Sequence, residues 1–416
     1  MHGVGITVSK KEQIVCGLDV GTEKVCCLIA RVRPGDLLEV IGCGYAKSAG
    51  LKKGVVVNLE EAAATIRKAA QEAELKSSLS VDWVTVGVSG DHIQSFNCHG
   101  AVEINGKHHE VTAEDVAQVI TAAQTVPIPP EREVIHVLPQ EFFLDNRGDI
   151  HNPMGLTGQR LDVDVHVVTC DSAMVQNLIN AVNRAQMRVR KVVLPQLASA
   201  QAVLTQDETE LGTGLIDIGG GTTDIALITR DAMRYSYVLP VGGLHFTRDL
   251  AVGLRTTIEE AERIKKEFGS VLVDQIADDE VIGFTEVAAR GTRDTPRKTV
   301  CDILHARAVE VLELIKDRIA RSGFRDQLVS GVVFTGGGSL LEGILPLADG
   351  ILEMPVRQGL PQTLAGLAEE LVHPVYATAV GLTMFAIQDS GERKPHAGKA
   401  SSTPWLVNRF LSWVGS

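Results

Sequence analysis

Apolar positions along this chain follow two rhythms, one of strands and one of helices. After Gln13 the run IVCGLDVGTEKVCCLIARV is apolar and β-branched on both sides of a polar break at Asp19, Gly21 and Thr22, which predicts strand, tight turn and strand. The design returns in GTGLIDIGGGTTDIALIT, where Asp217, Gly219, Gly220, Gly221, Thr222, Thr223 and Asp224 form the break. The leading aspartates stand 217 − 19 = 198 residues apart. Such a repeat predicts a duplicated α/β domain, each copy giving one loop to a shared cleft. A third apolar strand, in GVVFTGGGSLLEGI, stops at Gly336, Gly337, Gly338 and Ser339 before a helical pattern. In TIEEAERIKKEFG the period becomes that of a helix, with Glu262 and Lys265 three apart on one face.

Towards the end, the apolar run VYATAVGLTMFAI at 375–387 is too short to span a bilayer. QDSGERKPHAGKASS, residues 388–402, has nothing to bury and predicts a flexible linker. In TPWLVNRFLSWVGS, Thr403 can cap a helix that Pro404 begins. At 100° per residue Leu406, Val407, Phe410, Leu411, Trp413 and Val414 share one broad face, opposite Asn408, Arg409 and Ser412. Trp405 falls on the polar side near the helix start, where an indole suits a headgroup boundary. An apolar stripe is ordinarily core, but the linker and the paired tryptophans favour insertion into a membrane surface. Arg409 is the only basic side chain of the last fourteen residues, so the affinity of one helix is marginal and rests on its apolar face. Linking many copies in a filament multiplies retention by about 10² to 10⁴.

Composition sharpens this picture in three ways. At 416 residues and 44% hydrophobic, the chain is long enough for two cores. The formal charge of −12 argues against duplex nucleic acid as a partner, since that binding relies on Lys and Arg contacts to phosphates. Seven scattered cysteines, none spaced as C-x-x-C, encode neither a disulfide framework nor a zinc site, and suggest reducing cytoplasm. The opening MHGVGITVSKKEQ lacks the apolar core of a signal peptide.

The two hairpins carry phosphate chemistry. Glycines let backbone N–H groups approach phosphate oxygens, threonine hydroxyls add donors, and aspartates hold a hydrated Mg²⁺. One such loop is more often only a turn, and the Glu262–Lys265 pair alone reads as a solvated salt bridge. Both loops together, with an acid at the same place, raise the case for a nucleotide.

GLDVGTEKV, LIDIGGGTTDIAL and FTGGGSLLEG, in this order, resemble the two phosphate loops and the adenosine loop of the actin, Hsp70 and sugar-kinase superfamily. The resemblance implies two lobes around ATP and Mg²⁺. Its binding residues would be Asp19, Gly21, Thr22, Glu23, Lys24, Asp217, Gly219, Gly220, Gly221, Thr222, Thr223, Glu262, Lys265, Gly336, Gly337, Gly338 and Ser339, with Asp19 and Asp217 on the metal through water. The stretch VIHVLPQEFFLDNRGDIHNPMGLTGQRLDVDVHVVTC is similar to the insert subdomain of the FtsA family of bacterial cell-division proteins. That family implies an α/β, two-lobed actin-like (ribonuclease H-like) fold with an insert in the first lobe and a C-terminal amphipathic helix. The expected division is 12–86 and 170–207 for the first core, 87–169 for the insert, 208–234 and 324–370 for the second core, 235–323 for its small subdomain, 371–387 for a helix returning to the first lobe, 388–402 for the linker and 403–416 for the membrane helix.

Where relatives in the superfamily carry a glutamate just before a proline, VLPQLASAQAVL looks to place Pro195 and Gln196. Proline cannot activate water, and Gln196 substitutes only if the backbone shifts by one position. ATP is therefore expected to be a conformational ligand, hydrolysed slowly at most. The resemblance further implies self-assembly into filaments, FtsZ tethering at the cytoplasmic face of the inner membrane at the septum, and recruitment of later division proteins through the insert. It places the FtsZ C-terminal peptide on the small subdomain, where the basic residues Arg290, Arg293, Arg297, Lys298 and Arg307 lie on and before a helix, with Arg297, Lys298, Arg307 and Glu310 as candidates; a merely solvated charged helix is the competing reading. A sugar kinase would need an acceptor pocket and an Hsp70 chaperone a peptide-binding domain, neither of which is legible. The nearest rival is the PilM family of pilus-assembly proteins, against which the terminal helix speaks.

Overall fold

The computed structural model of the protein describes residues 13–33, 37–286, 292–362 and 369–388. The expected terminal helix and all of the linker but its first residue, like Arg290, lie outside the described residues. Two five-stranded sheets have the same topology. In the first, Gln13–Val20, Lys24–Arg33 and Leu37–Lys47 form an antiparallel meander. Trp83–Gly87 and then Arg188–Val193 add in parallel beside its first strand. In the second, Thr213–Ile218, Thr223–Thr229 and Ala232–Leu239 form the meander, and Val332–Thr335 and Val356–Gln358 add in parallel.

The duplication extends to single hydrogen bonds. Asp19 pairs across the first hairpin with Cys26, and Asp217 across the second with Asp224, while 26 + 198 = 224. Each turn is closed in the same way, Gly21 N–H donating to the Lys24 carbonyl and Gly219 N–H to the Thr222 carbonyl, both at 2.9 Å. Every residue of Thr213–Ile218 and Thr223–Thr229 is buried, as for strands covered on both faces.

The helix Arg297–Ser322 covers the second sheet with Val300, Leu304, Ala308, Val311, Leu312, Ile315 and Ile319, spaced three and four apart on one face. It ends where Gly323 takes a left-handed turn at φ 78°. Ala377–Gln388 returns to the first lobe, packing on Pro195–Val203 and Gln13–Val20. The approach is close enough that a side chain at Gly381 would collide with the Ala198 carbonyl. Among the described residues no helix is long and apolar enough to cross a membrane.

Between the fourth and fifth strands of the first sheet the chain builds a four-stranded antiparallel insert, in spatial order Gln94–Glu103, Arg160–Asp171, Arg132–Leu144, Arg147–Ile150. The helix Ala113–Ala123, opened by a Thr112–Asp115 capping box, buries Val116, Val119, Ile120 and Ala123 against one face. The insert also touches the second lobe. Ser95 donates to the Ser236 carbonyl at 2.8 Å, Asn97 to that of Arg234 at 3.1 Å and Gln140 to that of Met233 at 2.8 Å.

Candidate functional site

The two equivalent turns face each other across a cleft of about 510 Å³. Its walls include Asp19, Gly21, Thr22, Glu23 and Lys24 from the first lobe, and Asp217, Gly219, Gly220, Gly221, Thr222, Glu262, Lys265, Gly336, Gly337 and Gly338 from the second. The turns nearly touch: a side chain on Gly220 would strike Glu23, and one on Gly221 would strike Thr22. Thr22 Oγ1 accepts from Gly54 N–H at 2.9 Å, and Lys24 Nζ pairs with Asp19 Oδ2 at 3.2 Å.

Asp217 is buried in the cleft wall, its Oδ2 accepting from Ser199 Oγ at 2.7 Å and from Thr378 Oγ1 at 3.0 Å. Burial pushes its pKa up, the two hydroxyls opposing. Asp224, directly opposite on the partner strand, is pushed well above the usual carboxylate range, by burial first and then by the charge of Asp217. Ser89 Oγ donates to Asp224 Oδ1 at 3.2 Å. Gly336, at φ 80°, passes so close to Asp217 that any side chain would collide with its carboxylate; only glycine fits there.

Glu262 and Lys265 are joined at 2.7 Å on the cleft wall, and Lys266 adds a second cation to Glu262 at 3.1 Å. Lys265 Nζ also donates to Thr247 Oγ1 at 2.8 Å and to the Gly243 carbonyl at 3.1 Å, which fixes the ammonium at the cleft. Burial raises the pKa of Glu262, but the lysines and the Thr247 hydroxyl outweigh it and keep the group below its ordinary value. Glu23, across the gap, is raised by burial and by the charge of Glu262.

Three expected residues are turned elsewhere. Thr223 begins a strand, so its side chain alternates away from that of Thr222 and its hydroxyl donates to the Val241 carbonyl at 2.8 Å. Ser339 is buried and donates to the Gly336 carbonyl at 2.7 Å, bracing the loop rather than facing the cleft. Gln196 is fully buried behind the wall, its amide donating to Asp224 Oδ1 at 3.3 Å, while Pro195 lines the cleft. Its Oε1 has no partner among the described residues. Thr223→Val should therefore leave nucleotide affinity within about twofold while lowering stability by about 1 kcal/mol for the lost hydrogen bond, as calorimetry and thermal melting would read. An affinity loss of tenfold would return Thr223 to the cleft.

Asp224, Ser89, Thr378 and Lys266 also line the cleft, beyond the residues that the motifs single out, and Ser199 stands buried behind Asp217. Asp224 was the most accessible of them, since the register of the second hairpin sets it opposite Asp217. Ser89 and Thr378 carry no local signal; tertiary packing alone delivers them.

The four candidates for a peptide partner lie on the helix Arg297–Ser322, and each has an intramolecular partner. Arg297 binds the Phe268 carbonyl at 2.8 Å, Glu280 at 2.8 Å and Glu342 at 3.3 Å. Lys298 pairs with Asp278 at 2.9 Å, and Arg307 with Asp249 at 3.1 Å and Glu310 at 2.6 Å.

Two family models match the chain: "Cell division protein FtsA" over residues 214–381 and "SHS2 domain inserted in FTSA" over 90–169. The cell division protein FtsA of Pseudomonas aeruginosa is 40% identical over 97% of this chain and 97% of its own. That of Neisseria meningitidis is 37% identical over 98% and 99%, and that of Escherichia coli K12 35% identical over 97% and 97%. Among solved structures, the PilM–PilN type IV pilus biogenesis complex aligns at TM-score 0.65 and 17% identity, over 90% of this chain and 98% of that chain. MreB5 of Spiroplasma citri bound to ADP aligns at TM-score 0.52 and 14% identity, over 90% and 97%. At those identities the pilus protein and the bacterial actin share the two-lobed actin-like fold, and a pilus-assembly reading is not favoured. The near full-length identity decides the matter: the chain belongs to the FtsA family of cell-division proteins.

Proposed function

We propose that this chain binds ATP with Mg²⁺ between its lobes, polymerises, and tethers FtsZ filaments to the inner face of the cytoplasmic membrane through residues 403–416. The observation that carries the nucleotide part is the convergence of the two 198-residue-related turns, with their aspartates, on one cleft. The donor set fits the metal: Asp19, Asp217 and Asp224 offer hard carboxylate oxygens, and the two buried ones repel each other. When bound, Mg²⁺ would neutralise the phosphate charge and relieve that repulsion. Gly21, Thr22 and Gly219 to Thr222 supply backbone and hydroxyl donors for phosphate oxygens. Lys265 and Glu262 face the nucleoside side, and Gly336 to Gly338 let it approach the backbone.

Hydrolysis is expected to be slow, because Pro195 lines the wall and Gln196 spends its amide on Asp224. The superfamily resemblance, and the ADP-bound MreB5 neighbour, favour a nucleotide as the ligand. The FtsZ C-terminal peptide is assigned to the surface of the small subdomain, where Arg297, Lys298, Arg307 and Glu310 would exchange local ion pairs for peptide contacts; later division proteins are assigned to the insert. Calorimetry should show one MgATP bound per chain, with phosphate release slower than about one per second. No binding heat at millimolar MgATP would sink the reading, and faster release would reveal a base elsewhere.

A further inference from the structure

We infer that the rim of the first lobe opposite the phosphate-facing turns is a second contact for an anionic lipid surface, centred on Trp83, Arg188 and Arg190. The inference rests on the reading that residues 403–416 insert into lipid. Parallel pairing sets Gly17 beside Thr85 and Trp83 beside Arg188, so the starts of Gln13–Val20, Trp83–Gly87 and Arg188–Val193 share one end of the sheet. The helix Ala377–Gln388 runs from Thr378 in the cleft to Ala386, which packs with Val15, Ala30 and Leu38 at that same end. The described residues thus end at this rim, with 416 − 388 = 28 residues following Gln388, the apolar-faced segment among them. On the tether reading, the fourteen residues 389–402 would hold the rim within roughly 20 Å of the headgroups.

The rim has the chemistry for that neighbour. Trp83 is 44% exposed, and the Arg188 guanidinium lies 5.5 Å above its ring. Arg190 is exposed on an edge strand, where the register slips between Val189 and Lys191. Five other cations of this lobe are spent locally, Arg31 and Arg33 on Glu39, Arg67 on Glu74, Lys76 on Glu72 and Arg184 on Glu60. Among the described residues neither Arg188 nor Arg190 has an ion pair, although the chain carries a net −12; Asp82 is the exposed carboxylate beside them. Two uncommitted arginines with an exposed indole match lipid phosphates with an apolar boundary just beneath.

The chain has three tryptophans, so Trp405→Phe with Trp413→Phe leaves Trp83 as the sole tryptophan, excited selectively over tyrosine, while keeping the tail apolar. This full-length variant would be mixed with vesicles of equal parts phosphatidylethanolamine and acyl-chain-brominated phosphatidylglycerol, and both flotation and Trp83 quenching would be read. We expect flotation with quenching. Adding Arg188→Glu and Arg190→Glu should abolish the quenching and weaken vesicle binding about tenfold or more, the size expected for two basic residues at an anionic surface. An unchanged melting curve would show that the charge-reversed chain is folded. Flotation without Trp83 quenching, or quenching that survives the two Glu changes, overturns the rim contact and leaves the tail reading standing. Absence of flotation overturns both.

Discussion

Replacing Asp217 with alanine is expected to weaken MgATP binding by about a hundredfold or more, whereas Asp224→Asn should weaken it about tenfold while making the nucleotide-free protein more stable. Asp217 is a buried carboxylate, and its loss also takes an acceptor from the Ser199 and Thr378 hydroxyls, which keep only each other. Asp224 is different, because its buried charge faces two like charges, Asp217 and Asp19, against which it has the Ser89 hydroxyl and the Gln196 amide but no cation. Asparagine keeps an oxygen for Ser89 and Gln196 and removes the charge. At neutral pH the gain should be about 1 to 3 kcal/mol, the scale of an imperfectly compensated buried polar group, read as a rise of a few degrees in melting temperature.

The pH dependence has a definite sign. A folded-state pKa raised above the unfolded value means that the parent loses stability as pH rises through the folded value and recovers it as pH falls towards the ordinary carboxylate range. The advantage of Asp224→Asn should therefore be largest at neutral pH and shrink on acidification. A variant that melts lower than the parent at neutral pH, or binds MgATP as well, would remove the idea that a dication relieves this pair.

What the chain discloses before folding follows from the range of each signal. The hairpins were legible because strand, turn and strand are adjacent in sequence, and the 198-residue offset marks equivalent turn positions even where the residue changes, as at Cys26 and Asp224. Glu262 and Lys265 were legible as a pair because helical spacing is local, but their place on the cleft wall depends on the packing of Ile258–Phe268 against Gly243–Leu254. Side-chain direction was the common point of failure. Thr223 and Ser339 stand inside glycine-rich motifs, yet strand alternation turns one away and a one-turn 3₁₀ segment tucks the other under its own loop. Arg297, Lys298 and Arg307 look free in sequence and are paired in space, because their acceptors Glu280, Asp278 and Asp249 come from distant segments.

Phe410→Glu together with Trp413→Glu is expected to abolish vesicle flotation, a loss of several hundredfold or more, while MgATP affinity stays within about twofold. Both residues lie on the predicted apolar face of 403–416, and each replacement exchanges a large ring for a carboxylate at the lipid boundary. The two readouts separate because residues 389–402 intervene between the tail and Ala377–Gln388, whose other end reaches the cleft at Thr378. With Arg409 the only basic residue in the tail, electrostatics offers little rescue there. A single helix of this kind binds weakly, so retention in the parent should climb steeply with protein concentration and with MgATP, as filament formation turns each further insertion into an intramolecular event. An unrelated amphipathic helix of similar apolar face, grafted after residue 402, should restore flotation. Flotation untouched by the double change, or linear in concentration, would mean that the tail packs on the protein body and that the two tryptophans serve its core rather than lipid.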